Sequence, residues 1–242
     1  MALSLPSALG SAAEWARREF LLLLVLLLAS SGLLGFTILA SEVSEGETHA
    51  FDEALLLALR TSGNTGDPIG PRWLEAVFRD ITSLGGPTVI TLITGLTVGY
   101  LLLARRYGTA FLVLAAIGSG ALVSFILKDI MDRPRPDLVS HLVDVQTSSF
   151  PSGHATLSAV VYLTIGALLA REQQSRGLRF YVMTVAILAT VLIGCSRVYL
   201  GVHWPTDVLA GWAIGAAWAM IWWVVAWIGM ARRHAMASEL GS

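Results

Sequence analysis

The chain has 242 residues, 55% of them hydrophobic and only 14% charged, with a mean hydropathy of +0.69. A soluble domain carries about 25% charged residues, so this composition excludes a soluble globular protein and a disordered one and predicts a membrane protein. A formal net charge of −1 leaves no global basic field for nucleic acid, and the single cysteine, Cys195, excludes an intrachain disulfide and a cysteine-based metal site.

A helix that crosses a bilayer needs about 17–25 mostly apolar residues. Six stretches meet or approach that length: Phe20–Ala40, Pro87–Leu103, Thr109–Leu127, Ala155–Ala170, Phe180–Gly194 and Val208–Met230. The first reads as a retained membrane helix rather than a cleaved signal peptide. The fourth and fifth are short and need their polar-flanked ends to complete the crossing. The arginines alternate between connections: Arg17 and Arg18, Arg105 and Arg106, Arg171, Arg176 and Arg179, then Arg232 and Arg233. Basic residues in short loops mark the cytoplasmic side. The expectation is therefore an all-α, polytopic fold of six transmembrane helices with both termini cytoplasmic. The chain reads as a single membrane domain, 1–242. Trp222, Trp223 and Trp227 suit an interfacial aromatic belt at the cytoplasmic end of the last helix.

The segment 42–86, between the first two spans, is the one sizeable extramembrane piece. Within it Ala54–Leu59 is too short to span, and the run Gly63 to Pro68 reads as a turn or loop. Trp73, Leu74, Val77, Phe78 and Ile81 recur at helical spacing, which predicts a helix lying along the outer interface. Packing against the bundle and a lid or lipid-access role both fit it. Ala116 with Gly120, and Gly211 with Gly215, form small-xxx-small pairs suited to helix packing within the chain. His49, His141 and His234 read as surface or loop residues. Cys195 reads as a small apolar packing residue, and packing is also the favoured reading for Tyr199 and Trp204.

Three polar clusters fall on the predicted outer side, within residues 128–207. The first is KDIMDRPRP, Lys128 to Pro136. Cations beside a membrane helix are costly unless they meet an anion; snorkelling to lipid phosphates, with Asp129, Asp132 and Asp137 as local partners, fits equally. The second is PSGH, Pro151 to His154, at a helix start. There Ser152 can cap, Gly153 allows close approach of a ligand, and free N–H groups favour a phosphate; an ordinary cap with a bystander histidine also fits. The third is SRVYLGVHWPTD, Ser196 to Asp207. Asp207 lies four residues after His203, close enough to fix its tautomer and make it a better base or nucleophile. Arg197 supplies a planar fork for phosphate oxygens. Alone, the His203–Asp207 pair also fits a structural contact at a helix start. Jointly, the three clusters supply charge clamps, an acid and a nucleophile, the inventory for phosphoryl transfer.

K-x6-RP (Lys128 to Arg135 and Pro136), PSGH (Pro151 to His154) and SR-x5-H-x3-D (Ser196 and Arg197, His203, Asp207) resemble, in order and spacing, the three motifs of the type 2 phosphatidic acid phosphatase superfamily. The resemblance implies a membrane lipid phosphatase in which His203 attacks phosphorus and becomes phosphohistidine, with Asp207 orienting it. It implies that His154 protonates the leaving oxygen and then assists water, and that Lys128, Arg135, Ser152, Gly153 and Arg197 hold the phosphoryl oxygens. It also implies no metal and no cofactor. The implied setting is the inner membrane of a bacterium, with the active site facing the periplasm.

The substrate it implies is a lipid phosphate or diphosphate, among them undecaprenyl diphosphate, phosphatidylglycerophosphate, phosphatidic acid and the 1-phosphate of lipid A. The expected partners are that substrate and the membrane lipids, with no nucleic acid; oligomeric state stays open. A transporter that binds a lipid phosphate without cleaving it, and the soluble vanadium haloperoxidases that resemble these motifs, are the weaker alternatives. Transport needs no nucleophile–acid pair, and six apolar spans do not suit a soluble enzyme.

Overall fold

The computed structural model describes residues 6–145 and 147–239, with side chains described from Arg18 to Gly229 apart from Gln146. The chain ends, whose cytoplasmic placement the arginines predict, lie outside these residues, as do the side chains of Arg17, Arg232, Arg233 and His234. Among the described residues the chain folds into eight helices and one two-stranded hairpin. In chain order these are α1 (Pro6–Glu45), α2 (His49–Ala58), β1 (Arg60–Thr61), β2 (Asn64–Pro68), α3 (Arg72–Ser83), α4 (Pro87–Leu103), α5 (Tyr107–Met131), α6 (Gly153–Glu172), α7 (Arg176–Tyr199) and α8 (Pro205–Glu239).

Five of these helices, α1, α5, α6, α7 and α8, are long and apolar enough to cross a membrane, and a sixth span results if α3 and α4 count as one path bent by 46°. The predicted second span, Pro87–Leu103, is α4, a 17-residue helix that meets α3 across the bent Gly85–Gly86 break. Large apolar side chains face outward along the helices: Phe125 is 70% exposed and Phe180 is 76% exposed. Soluble monomers do not leave such continuous apolar surface uncovered. The molecule is a multi-pass membrane protein.

Local chemistry explains where the helices start and stop. α4 opens with Pro87 at its first position, where a missing N–H costs nothing. α5 ends at Asp132, held in the left-handed region at φ 37°, and Pro134 and Pro136 prevent its continuation. α6 starts on Ser152, whose Oγ accepts from the Ala155 N–H. α6 is the central helix, packed against α5, α7 and α8, while α1 lies along α8. Both predicted small-residue pairs serve this packing: Gly120 faces Val160 of α6, and Gly211 and Gly215 face Ser152, Thr156 and Ala159.

Several expectations are corrected. The run 63–68 is not a bare loop: Asn64–Pro68 forms β2, which pairs antiparallel with β1 around Gly63 at φ 81°. That small hairpin qualifies the all-α class. Trp222 does not sit in an interfacial belt; its indole N–H donates to Ser119 Oγ in the middle of α5 (3.2 Å), as does that of Trp218 (3.0 Å). Cys195 does not pack inside but lies on the exposed face of α7. The amphipathic helix α3 divides its apolar residues: Leu74 and Phe78 pack on Tyr199, Leu200 and Val202, whereas Trp73 stays exposed.

A Cβ on Gly215 would stand 2.5 Å from the Thr156 carbonyl oxygen, whereas one on Gly118 would meet nothing within 4 Å. Gly215→Ala should therefore destabilise the protein by about 1–3 kcal/mol by forcing α6 and α8 apart. Gly118→Ala should be neutral or slightly stabilising. Thermal unfolding of the two variants in detergent checks the contrast.

Candidate active site

The three motif loops meet at one end of the bundle, where segment 42–86 covers them. The opposite end carries the basic connections; there Arg106 and Glu172 pair at 2.5 Å. The loop Leu200–Trp204 between α7 and α8 holds His203, which is 1% exposed. Its Nδ1 lies 3.3 Å from Asp207 Oδ2, and its Nε2 lies 3.3 Å from Arg135 Nη1. A carboxylate only accepts and a guanidinium only donates. The proton therefore sits on Nδ1, and Nε2 keeps its lone pair toward Arg135. Burial, the largest effect, pushes the His203 imidazole down to about 3; the contact with Asp207 opposes this, and the Arg135 and Arg197 cations reinforce it. His203 is a neutral imidazole of defined tautomer.

Asp207, fully buried in the first turn of α8, divides its oxygens. Oδ2 accepts from the Trp204 amide at 2.8 Å, from the Ser149 hydroxyl and from His203, while Oδ1 accepts from Arg133 Nη1 at 2.6 Å. Its backbone oxygen accepts from the Ser152 amide at 2.9 Å, which ties the start of α6 to the start of α8.

The predicted cations converge on the same place. Arg135 is fixed by donating to the carbonyls of Thr147 (2.8 Å) and Val202 (2.5 Å), and burial lowers its pKa. Lys128, in the last turn of α5, donates to the Ser148 carbonyl at 2.7 Å, and its Cε would lie 3.4 Å from a Cβ on Gly153. Arg197, in the last turn of α7, is 4% exposed; it donates from Nη1 to Thr82 Oγ1 at 3.0 Å, and its Nε has no partner among the described residues. His154 stands on the first turn of α6 with its ring toward the Gly85–Gly86 break, where a Cβ on Gly85 would lie 3.3 Å from Cδ2. The cations Arg135, Arg197 and Lys128 are near enough for their charges to act on it. Ser152 is buried, and its Oγ caps α6, so the first-turn amides of Gly153 and His154 are the ones with no helical acceptor.

Asp129, Asp132 and Asp137 are not the partners of these cations; all three are exposed, and Arg133 pairs instead with Asp52 and Asp207. Arg133, Asp52, Ser149, Thr206 and Thr82 belong to the surroundings of the site and are not singled out by the motifs. Asp52 carries a readable signal: with Leu56 it occupies the buried face of α2, and an acidic residue on an apolar face needs a cation. Tyr199 and Trp204 do pack: Tyr199 stacks on Phe78 at 4.1 Å, and the Trp204 indole donates to the Pro134 carbonyl. His49 is exposed and pairs with Glu53; His141 bonds the Pro136 carbonyl oxygen at 2.7 Å.

Residues 109–232 match the PAP2 superfamily. The phosphatidylglycerophosphatase B of Bacillus subtilis is 33% identical over 182 residues, which are 74% of this chain and 85% of that protein. The crystal structure of a transmembrane PAP2-type phosphatidylglycerolphosphate phosphatase from Bacillus subtilis superposes with a TM-score of 0.73 at 31% identity, covering 80% of this chain and 93% of that one. An undecaprenyl-diphosphatase of Sulfolobus acidocaldarius is 40% identical over 68 residues, 28% of this chain and 29% of that protein.

A buried neutral His203 has a consequence for stability. In the unfolded chain a histidine titrates near 6.5, whereas in the fold this one is held to about 3. Between those values the unfolded state binds the proton and the native state does not, so stability is complete above about pH 6.5 and falls as pH drops toward 3. The slope from this residue is up to about 1.4 kcal/mol per pH unit. The melting temperature of detergent-purified protein should therefore fall more steeply between pH 7 and 5 than that of His203→Gln. Equal slopes would count against a neutral buried imidazole.

Proposed function

The chain belongs to the PAP2 superfamily of membrane lipid phosphatases, and we propose that it hydrolyses a lipid phosphate or diphosphate through a phosphohistidine formed on His203. The observation that carries this reading is the placement of His203 between Asp207 Oδ2 at Nδ1 and Arg135 Nη1 at Nε2, each at 3.3 Å, which leaves the lone pair on Nε2. An incoming phosphoryl group takes the Arg135 guanidinium from Nε2 onto its own oxygens and brings phosphorus to the lone pair. As the N–P bond forms and the P–O bond breaks, positive charge develops on the ring, and Asp207 stabilises it through the Nδ1–H bond. The negative charge of the bound phosphoryl group offsets the surrounding cations and lets His154 take up a proton, which it gives to the leaving oxygen, so that the lipid departs as an alcohol or a monophosphate. Water then attacks phosphorus, its proton passes to His154, and phosphate leaves with His203 neutral again.

Lys128, Arg135 and Arg197 hold the equatorial oxygens, where charge spreads in the transition state. Arg197 Nε, buried without a partner, is a donor ready for that anion. The first-turn amides of Gly153 and His154 at the positive end of α6 add to the cradle, with Ser152 fixing the turn. Each step is assigned to side chains and backbone amides of this chain and to water, and none is routed through a metal.

The arginines at the opposite end support a site facing the outer, periplasmic side of a bacterial inner membrane, with both termini cytoplasmic. The substrate's head meets the cations there while its tails stay in the bilayer. Likeness over most of its length to a phosphatidylglycerophosphatase, and over a shorter stretch to an undecaprenyl-diphosphatase, supports phosphatidylglycerophosphate and prenyl diphosphates as the first substrates to try.

Phosphate release from phosphatidylglycerophosphate, undecaprenyl diphosphate and phosphatidic acid should continue undiminished in EDTA. It should fall at least about 10³-fold in His203→Ala and about 10²- to 10⁴-fold in His154→Ala. Release that persists in His203→Ala would reject the phosphohistidine route, and no release by folded protein would reject the substrate class. Protonation of Nε2 abolishes the nucleophile, and burial holds that event far below the usual histidine range. The acidic limb of kcat/KM assigned to His203 should therefore lie well below pH 6.5.

A further inference from the structure

Arg133 lies between two carboxylates that come from distant parts of the chain. Its Nη1 donates to Asp207 Oδ1 at 2.6 Å and to Thr206 Oγ1 at 2.9 Å, and its Nη2 donates to Asp52 Oδ2 at 2.7 Å. Both carboxylates are fully buried, and the guanidinium also lies over the Trp204 ring at 5.5 Å. Asp52 makes a second attachment. Its Oδ1 accepts from the Thr206 amide at 2.9 Å, and its Oδ2 from the Thr206 hydroxyl at 2.6 Å. Thr206 is in the first turn of α8, where an amide has no acceptor within its own helix. A side chain of α2 thus caps the helix that carries Asp207.

We propose that Asp52 and Arg133, joined through Thr206, are positioning residues for the Asp207–His203 pair, through which helix α2 of the segment 42–86 sets the geometry of the reaction. Arg133 binds Oδ1 of Asp207, which directs Oδ2 to His203 Nδ1. Asp52 balances the charge of Arg133 and holds the first turn of α8. A lysine cannot reproduce this, because one ammonium does not present the two-pronged fork that reaches both carboxylates. None of Asp52, Arg133 and Thr206 belongs to the cluster of Lys128, Arg135 and Arg197 that faces the phosphoryl group, so their loss leaves substrate binding largely intact. The inference rests on the reading of His203 as nucleophile.

The groups that act on His203 are Asp207 from α8, Arg135 from the segment after α5 and Arg197 from α7; His154 of α6 is electrostatically coupled to it, and Lys128 of α5 faces the same Asp207, Arg135 and Arg197. Removing the Arg133 cation behind Asp207 leaves the pair more negative, so protons compete better for the pair in Arg133→Gln than in the parent.

The test is steady-state lipid phosphate hydrolysis by Arg133→Gln, Arg133→Lys, Asp52→Asn and Thr206→Val, with His203→Ala as the control. Each protein is first checked for a folded, monodisperse state in detergent. The expected result is a kcat lower by about 10- to 100-fold in the Arg133 and Asp52 variants, a misplacement effect, with KM within about threefold of the parent. For Arg133→Gln the ratio of its kcat to that of the parent should fall further as pH is lowered from 8 to 5; the substrate's own ionisation is common to both proteins and cancels in the ratio. Folded variants with parental kcat, or with a loss confined to KM, would overturn the proposal. If the Asp52 and Arg133 variants do not fold, Thr206→Val, which removes one hydroxyl and keeps the amide, decides: a severalfold lower kcat at unchanged KM supports it, and parental kinetics overturns it. Activity retained by His203→Ala would instead reject the nucleophile assignment itself.

Discussion

The Asp207 carboxylate has no access to water, and a buried anion is tolerable only where its lone pairs meet donors. Those donors come from the Trp204 amide and the His203 ring of its own loop, from Ser149 ahead of α6, and from Arg133 after α5. Meeting that one requirement brings together the ends of α5, α6 and α8 and, through the second carboxylate on Arg133, the start of α2. The arrangement is costly to break at any point, because losing a single partner leaves a charge uncompensated in a dry place. The fold at this end of the bundle is organised around an anion, and the helices behind it supply the distance from water that makes the anion effective.

A second constraint opposes the first. Lys128, Arg135 and Arg197 crowd the other side of His203, and their nearest protein partners are mostly neutral: the Ser148 carbonyl, the Thr147 and Val202 carbonyls and the Thr82 hydroxyl. Carbonyl oxygens orient these cations without cancelling them, so the cluster keeps an excess of positive charge with its donors already aimed. Such preorganisation is what an anionic transition state requires, since no dipoles then have to turn at the moment of reaction. It also keeps His203 neutral, because an imidazolium would face an N–H of Arg135 with an N–H of its own.

What could be read from the chain, and what could not, divides along sequence distance. The three motifs were legible because each is a short run whose residues share one loop or helix start, and the structure gathers all eight of their predicted site residues at one end of the bundle. Five of the six predicted spans are legible as apolar runs, and the remaining one falls on the bent α3–α4 pair; span ends are less legible. α6 and α7 extend past Ala155–Ala170 and Phe180–Gly194 because Ser152 caps one and the other continues, through polar residues, to Tyr199. The need of Asp52 for a cation is readable from its helix face, but its place beside the site is not, since its partner Thr206 lies 154 positions away. Trp222 looked like a belt residue because composition places an indole at an interface, whereas here Ser119 offers its N–H an acceptor in mid-bundle. Cys195 reads as a packing residue in the sequence because free cysteines usually are buried, but in a bilayer the outward face of a helix is equally apolar.

The break between α3 and α4 shows why the extramembrane segment cannot be treated as an appendage. Gly85 has no side chain, and one placed there would stand 2.4 Å from Ile193 Cγ2, so α3 and α4 meet directly against α7. That close approach puts Thr82 within hydrogen-bonding reach of Arg197 and sets the Gly85–Gly86 backbone beside the His154 ring. Farther along, Leu74 and Phe78 of α3 press on the loop that leads into His203. The segment therefore contacts the site on two sides, α2 behind Asp207 and α3 beside Arg197 and His154. Any movement of this cover would change the environment of the cations and of His203 together, so α2 and α3 are part of the geometry of the site.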